Sequence, residues 1–317
     1  MTVALFCGCG SVAQVQPIAS KILAENLNGE SNSGDLASQK PPVAQQRSWI
    51  DPSANRSLIY VSTAEGRVYI YTYPRGSLVG TLSGFSEPTG ECVNNKDDIW
   101  IADAGNEELW EYAHGAKSPL RLPLFDPGER PEGCAIDPHG GNLAVANDFT
   151  TSGGPGSVSI YRKASGNPQV VPAFYNTYSL TYDDHGNIFV DGQNAGGKFA
   201  FGEIVKGGNS VNSIELHRVK ILFCGGVHWD GTYVDVGDAA SATIYRTSGT
   251  KVVQAIPLED VSNEVPDFFV ENRRLIVTNH SFPSSVNFYM YPMGGPPLSS
   301  IQLPGSQTSP FGVVVSN

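Results

Sequence analysis

The sequence is poor in charged residues and lacks long apolar runs. Asp, Glu, Lys and Arg make up only 16% of the 317 residues, and 31 acidic against 20 basic side chains give a formal net charge of −11. This surplus of carboxylates repels nucleic-acid phosphates and anionic lipids, so the composition argues against either as a partner. No apolar stretch reaches the roughly 18 residues that a membrane-spanning helix needs.

Helical periodicity is also missing, whereas residues that form turns are abundant. The chain contains 35 Gly and 22 Pro, together with 13 Tyr and 14 Phe. No long stretch repeats its apolar residues with the period of a helix, which excludes coiled coils and helical solenoids. Frequent turns and aromatic residues instead predict many short strands, and a chain of this length can form one closed all-β domain.

A short pattern recurs six times and indicates a repeat architecture. Each copy has three or four β-forming residues followed by a small polar residue. The copies are Ile59–Thr63, Ile99–Asp103, Leu143–Asn147, Asn187–Asp191, Gly231–Asp235 and Leu275–Asn279. Their last residues, at positions 63, 103, 147, 191, 235 and 279, are 40 apart once and 44 apart four times.

Two further strands accompany most copies of the pattern. A strand that alternates apolar residues follows, as at Val68–Tyr71. Another apolar strand precedes the copy and often opens with Pro-x-Gly, as at Pro88–Gly90 and Pro131–Gly133. Turns such as Asp137–Gly140 join the strands. Each unit therefore has three clear strands and room for a fourth, which predicts an all-β fold, a six-bladed β-propeller of four-stranded antiparallel blades.

Closure of the ring requires a strand that joins the first and last blades. The segment Ser309–Val315 opens with Pro-x-Gly, but no blade follows it. We expect it to return as the innermost strand of the blade that begins at Leu58. The segment Trp49–Pro52 resembles such a strand and competes for the same place. The Pro-x-Gly start favours the C-terminal segment, which leaves Trp49 at the rim.

These motifs resemble a known group of propellers. Pro-x-Gly, an apolar strand, Asp-x-x-Gly-Asn and a strand that ends in Ala-Asp or Ala-Asn are similar to the NHL and SMP-30/gluconolactonase superfamily. The segment Pro131–Asn147 is the most similar copy, and the resemblance covers about residues 48 to 317. The resemblance implies a six-bladed propeller, but many unrelated activities share this scaffold, so it implies little about chemistry.

The first 47 residues differ from the repeats. Phe6–Ser11 resembles the end of a bacterial lipoprotein signal, in which Gly precedes the lipidated Cys, so residues 1–11 are predicted to be a signal remnant with Cys9 as its lipid anchor. The alternative is a disordered tail, because the basic start of a signal is missing. Residues 12–47 are predicted to be a flexible linker. A lipid anchor, if present, would be the only contact with a membrane.

A polar site is predicted at the mouth of the central channel. Loops that precede the innermost strand of each blade should meet there with the ends of the next strands. The strand ends supply Thr63, Asp103, Asn147, Asp191, Asp235 and Asn279. Their expected neighbours are Glu87, Glu91, Arg130, Glu132, Asp148, Tyr178, Asp267 and His280. Each strand-end residue could instead cap a turn by accepting backbone N–H groups.

The superfamily resemblance also implies a possible metal site. Its lactonase members hold a metal with Glu, Asn and Asp from different blades, and the residues here that match by type and blade are Glu91, Asn147 and either Asp191 or Asp235. Such a set could hold Ca²⁺ or Zn²⁺. Only His280 of the six His is expected at the mouth, which argues against a multi-His zinc centre.

Cysteine usage leaves two interpretations open. Cys92 and Cys134 fall near equivalent places on adjacent inner strands. They could pair in an oxidising compartment or remain small buried thiols. Cys224 has no evident partner.

Taken together, the residues predict an exported, monomeric propeller, located in the periplasm, secreted or lipid-anchored to a bacterial envelope. It is predicted to bind a small molecule or a protein without catalysis, because no nucleophile with an adjacent base is recognisable. The alternative function is a metal-dependent hydrolase or lactonase of the SMP-30 kind.

Overall fold

The described part of the chain folds into a ring of antiparallel sheets. The structure is a computed structural model that describes residues 47–54, 56–126, 128–261, 267–280, 283–305 and 308–317. Residues 1–46, which include the predicted lipidation site Cys9 and nearly all of the predicted linker, lie outside the described residues. Helix within the described ranges is limited to one 3₁₀ turn at Arg162–Ala164, and none there is long and apolar enough to cross a bilayer.

The first three blades are built from strands β1 to β12 and the last strand, β25. Blade 1 contains β1 (Trp49–Ile50), β2 (Leu58–Thr63), β3 (Arg67–Thr72), β4 (Leu78–Ser83) and β25 (Pro310–Ser316). Blade 2 contains β5 (Pro88–Val93), β6 (Ile99–Asp103), β7 (Glu108–Tyr112) and β8 (Leu124–Phe125). Blade 3 contains β9 (Glu129–Ile136), β10 (Leu143–Thr150), β11 (Ser157–Tyr161) and β12 (Gln169–Pro172).

The remaining three blades follow the same order from the centre outward. Blade 4 contains β13 (Asn176–Tyr182), β14 (Ile188–Gln193), β15 (Phe199–Ile204) and β16 (Asn212–Ser213). Blade 5 contains β17 (Cys224–Trp229), β18 (Val234–Asp238), β19 (Thr243–Ser248) and β20 (Lys251–Pro257). Blade 6 contains β21 (Phe268–Glu271), β22 (Arg274–Asn279), β23 (Ser285–Met290) and β24 (Gly294–Gln302). The predicted six-bladed all-β propeller is confirmed.

The C-terminal strand closes the ring, as predicted. β25 pairs antiparallel with β2, with Val314 opposite Tyr60, and takes the innermost place of blade 1. Trp49 instead pairs with Thr81 of β4 at the outer edge, where its side chain is 45% exposed. The first blade is therefore formed from both ends of the propeller.

The core lies in layers between neighbouring blades, and strand alternation explains how each blade contributes to two layers. In β2, Leu58 and Tyr60 pack against blade 2, whereas Ile59 and Val61 pack against blade 6. All four side chains are fully buried. A one-residue slip of β2 would exchange these two sets, so the register of the blade is strongly specified.

The glycine of the Pro-x-Gly motif has a steric cause. A Cβ added at Gly90 would lie 2.5 Å from the Glu132 carbonyl oxygen on the next inner strand, and one at Gly312 would lie 2.6 Å from the Thr89 carbonyl oxygen. Inner strands therefore approach each other too closely around the channel for any side chain at these positions.

A disulfide joins the inner strands of blades 2 and 3. Cys92 of β5 and Cys134 of β9 are bonded, and their Cα atoms are 5.6 Å apart. Of the two open interpretations, pairing is confirmed and the interpretation of two free thiols is wrong. Cys224 is buried, and its Sγ lies 3.3 Å from the Gly192 carbonyl oxygen.

Candidate functional site

A cavity of about 1330 Å³ occupies the centre of the ring. The inner strands of the blades form its wall. Arg130 and Asp148 lie at one end, and Pro138 and Asp184 lie in the turns at the opposite end. We call the end that carries Arg130 and Asp148 the channel mouth. A cavity of this size is large enough for a small-molecule ligand.

A charged network surrounds Arg130 at the channel mouth. Its Nη1 and Nη2 donate to the two carboxylate oxygens of Glu87 at 2.9 and 2.7 Å, and its Nε donates to Glu132 Oε1 at 3.0 Å. The guanidinium also faces the ring of Phe149, 5.8 Å from its centroid. Asp148 accepts a 2.7 Å hydrogen bond from Asn176 Nδ2. Two-point pairing with Glu87 fixes the guanidinium in one orientation.

Two further carboxyl groups line the cavity without a cation. Glu91 is only 7% exposed. Ser62 lies close enough to its carboxyl group to oppose the effect of burial, but no donor among the described residues reaches either oxygen with good hydrogen-bond geometry. Asp267 Oδ2 accepts a 3.2 Å hydrogen bond from the Val313 N–H. The ion pairs formed within the described ranges do not include Glu91 or Asp267. Buried carboxylates normally have a charged or hydrogen-bonding partner.

Aromatic side chains form much of the remaining wall. Tyr175 and Phe223 are 49% and 40% exposed at the mouth. Deeper in the cavity, the imidazole of His228 lies edge-on to Phe269, with ring centroids 4.9 Å apart. Burial lowers the pKa of His228 to about 4 against the opposing effect of Asp230, so this imidazole is neutral at pH 7. The sequence led us to expect only His280 near the channel and did not predict that His228 lies on the cavity wall.

The predicted strand-end residues are buried within the blades. Asp103 accepts the N–H groups of Ser86 and Glu87 at 3.0 and 2.7 Å, and the Thr63 hydroxyl donates to the Arg67 carbonyl at 3.1 Å. These contacts are those of turn caps. Within the described residues, the cavity wall includes none of the six strand-end residues. It includes seven of the eight predicted neighbours, namely Glu87, Glu91, Arg130, Glu132, Asp148, Tyr178 and Asp267.

The other predicted strand-end residues have similar internal contacts. Asp191 Oδ1 accepts the Ser179 N–H at 2.9 Å, and the Asn279 side-chain amide donates to the Ser285 hydroxyl at 3.3 Å. His280, the eighth predicted neighbour, contacts the Pro310 carbonyl oxygen through Nε2. Its ring meets Phe311 edge-on at 5.6 Å. These side chains therefore join adjacent chain segments.

The prediction that Asp235 ends its strand is wrong. β18 continues three residues further and ends at Asp238, whose Oδ1 accepts the N–H groups of Leu222 and Phe223 as Asp103 does in blade 2. Asp235 instead accepts a 2.6 Å hydrogen bond from the Tyr291 hydroxyl, between blades 5 and 6. The constant spacing of 44 was misleading because β17 also lies later in its repeat, so that its first residue, Cys224, pairs with Asp238 as Pro88 of β5 pairs with Asp103.

The predicted metal set is not assembled as a compact centre. The Asn147 side-chain NH₂ donates to Asp126, Ser157 and Ser159 inside blade 3 at 3.1 to 3.3 Å, away from Glu91 on the channel wall. Over the described ranges, no group of three or more His, Cys, Asp or Glu side chains is placed to hold a metal ion. Asp126, which anchors Asn147, was not recognised from the sequence because it lies 21 residues away.

Burial raises the pKa of most carboxyl groups in and near the channel. It raises the pKa of Glu132 to about 8 against the opposing charge of Arg130, and that of Asp148 to about 6 against its hydrogen bond from Asn176. It raises the pKa of Asp267 to about 7 and places that of Glu91 well above its usual range, with repulsion from Asp267 adding to the effect. The channel therefore carries protons near neutral pH that exposed carboxyl groups would release.

These shifts predict that the protein loses stability as the pH rises through neutrality. A carboxyl group with a raised pKa keeps its proton in the folded state while the unfolded chain ionises, so unfolding is favoured between the ordinary and the raised pKa. We expect the free energy of unfolding, measured by urea denaturation, to fall between about pH 5 and about pH 8, by up to about 1.4 kcal/mol per pH unit for each carboxyl group that keeps its proton in the folded state. Asp267→Asn should reduce this slope. An equal slope in Asp267→Asn and the unaltered chain would contradict the assignment of Asp267.

Comparison with solved structures supports the architecture. The chain is similar to a chain in the "Crystal structure of Nidogen/Laminin Complex", with a TM-score of 0.68 and 12% sequence identity. The match covers 82% of this chain and 98% of that chain, which is a YWTD β-propeller. At this identity the similarity shows the fold alone. A scan against known protein families finds no match, and a search of curated proteins finds none.

Proposed function

We propose that this protein is a non-catalytic, ligand-binding propeller whose site is the central cavity, entered through the channel mouth. The observation that carries the proposal is the cavity of about 1330 Å³, whose wall combines polar groups held by the Arg130 network with exposed aromatic side chains. A roomy site with a few oriented polar groups suits recognition of a small organic molecule. A scaffold role for the outer surface is compatible with the same fold.

The alternative, a metal-dependent hydrolase or lactonase, has less support. It would need Glu91, Asn147 and Asp191 or an equivalent set around one cation. Asn147 is engaged inside blade 3, and Asp191 is engaged by the Ser179 N–H. The observed contacts therefore favour binding over metal-assisted hydrolysis.

Export from the cytoplasm is part of the proposal. The Cys92–Cys134 disulfide is of a kind that forms and persists in oxidising compartments and is rare in the cytoplasm of most cells. It supports a periplasmic, secreted or envelope-anchored location. Membership of the NHL and SMP-30 group is proposed on the Pro-x-Gly repeats and the six blades, which fit that group's pattern.

Blocking the channel mouth tests the binding function. Ala195 is exposed in a turn at the cavity wall, so Ala195→Trp should narrow the entrance without disturbing the core. A library of water-soluble metabolites would be screened by thermal shift against the unaltered chain and this variant. We expect compounds that raise the melting temperature of the unaltered chain but not that of Ala195→Trp.

A matched substitution controls for the bulky side chain. Lys117→Trp places the same indole on an exposed turn of blade 2, outside the described cavity wall. Its response to the library should equal that of the unaltered chain. If no compound shifts the melting temperature, or if Ala195→Trp responds to every compound as fully as Lys117→Trp does, the cavity is not the binding site.

A further inference from the structure

The cavity wall has a strong excess of carboxyl groups over cations. Among the described lining residues there is one guanidinium, that of Arg130, and no lysine. The carboxyl groups of the wall are Glu87, Glu91, Glu132, Asp148, Asp184 and Asp267. Arg130 is already paired with Glu87 and Glu132 at the mouth. The deeper part of the channel is therefore acidic and without a cation of its own.

Glu91 and Asp267 are the two acids that this arrangement leaves without a counter-ion. Glu91 is more than nine-tenths buried and lines the cavity, and no donor within the described residues reaches its carboxylate oxygens with good hydrogen-bond geometry. Its Oε2 would be 2.1 Å from a Cβ at Gly312, so the glycine makes room for the carboxyl group. Asp267 lies close enough to repel Glu91 electrostatically. Bringing a cation near them would remove this repulsion.

Aromatic side chains share the cavity wall with these two acids. Phe269 and Phe311 both line the cavity and are partly exposed, and Phe311 adjoins Gly312, which makes room for Glu91. The neutral imidazole of His228 lies 4.9 Å from the Phe269 ring. Aromatic faces attract cations, organic ammonium groups in particular, whereas a hard metal ion requires several oxygen ligands at short range. No such cluster is present among the described residues.

We propose that the cavity binds a small organic amine, whose ammonium group pairs with Glu91 and Asp267 and whose apolar part packs against Phe269 and Phe311. This inference rests on the proposed binding function and names the ligand class of the same site. The positive charge of an ammonium group would offset the repulsion between the two neighbouring carboxyl groups. The aromatic wall holds the hydrocarbon part of the ligand and excludes water from the pair.

Isothermal titration with matched probes tests the charge requirement. The probes are phenethylammonium chloride, the uncharged 2-phenylethanol of similar shape, and calcium chloride, each titrated into the full-length chain. We expect saturable binding of phenethylammonium at one site per chain and at least about tenfold weaker binding of 2-phenylethanol. Calcium binding without any response to phenethylammonium would overturn the proposal in favour of a metal site, and equal affinity for the amine and the alcohol would also overturn it.

Side-chain variants test the assignment of the two acids. Glu91→Gln and Asp267→Asn keep the size of each side chain and remove its charge, so each should weaken phenethylammonium binding at least about tenfold. Glu215→Gln, which alters an exposed acid outside the described cavity wall, should bind as the unaltered chain does. Melting curves of all three variants would verify that they are folded. Unchanged affinity in folded Glu91→Gln and Asp267→Asn would overturn the assignment.

The outcome separates this inference from the function on which it rests. If amines fail to bind but other library compounds stabilise the unaltered chain and not Ala195→Trp, the cavity binds ligands and the amine assignment is wrong. If no compound depends on the open mouth, both proposals fail.

Discussion

Deletion of Pro310–Asn317 should abolish the cooperative thermal unfolding of the propeller, because this segment contains the strand that closes the ring. β25 takes the innermost place of blade 1 and pairs with β2 along most of its length. Val313, Val314 and Val315 are at most 2% exposed. Val314 packs between blades 1 and 2, and the other two pack between blades 1 and 6. The deletion thus opens two of the six interfaces at once.

The expected magnitude approaches the whole stability of a domain. Burial of a valine side chain contributes about 1.5 kcal/mol or more, and the lost strand also leaves the β2 edge without its hydrogen bonds. The total free energy of unfolding of a protein is typically about 5 to 15 kcal/mol, so losing the three buried valines and the pairing with β2 would remove much of it. We therefore expect the truncated chain to lose the cooperative melting transition seen by circular dichroism.

Two controls make the truncation informative. Removal of the exposed Asn317 alone should leave the transition nearly unchanged. A synthetic peptide of residues 309–317, added to the truncated chain, should restore part of the transition if closure is the cause. A truncated chain that melts like the full-length chain would show that blade 1 does not depend on β25.

Removal of the disulfide should cost about 4 kcal/mol of unfolding free energy, since the bridge closes a loop of 42 residues in the unfolded chain. The bond also joins two inner strands at the interface of blades 2 and 3, beside the buried Trp100. We expect the double variant Cys92→Ala with Cys134→Ala to unfold at a clearly lower urea concentration than the unaltered chain.

Reduction provides a second measure of the same bond. Urea denaturation with a phosphine reductant should bring the unaltered chain close to the double variant, while the double variant should not respond. Cys224→Ala, which alters a buried cysteine outside the disulfide, should cost only about 1 kcal/mol. If the reductant leaves the unaltered chain as stable as before, the disulfide contributes little to folding.

Turn chemistry shows how far local sequence can predict this protein. Asp137 was predicted to belong to a tight turn, and it accepts the His139 N–H at 3.0 Å; Asp183 accepts the His185 N–H at 2.9 Å in the same way in the next blade. Such contacts span two residues and depend little on the rest of the fold. The strand-end Asp and Asn residues allowed two interpretations because a cap and a binding group use the same side chain. Only the burial of these side chains in the folded protein distinguishes a turn cap from a binding group.

The blade number, the order of strands and the closing role of the C-terminal strand are predictable from the sequence, because the strand that ends in a small polar residue recurs six times and Pro-x-Gly marks several inner strands. Which polar groups face the channel depends on the tertiary structure. Asp235 points between two blades, His228 joins the cavity wall, and Glu91 lacks a counter-ion, because each depends on side chains more than 30 residues away that sheet twist and blade packing bring together.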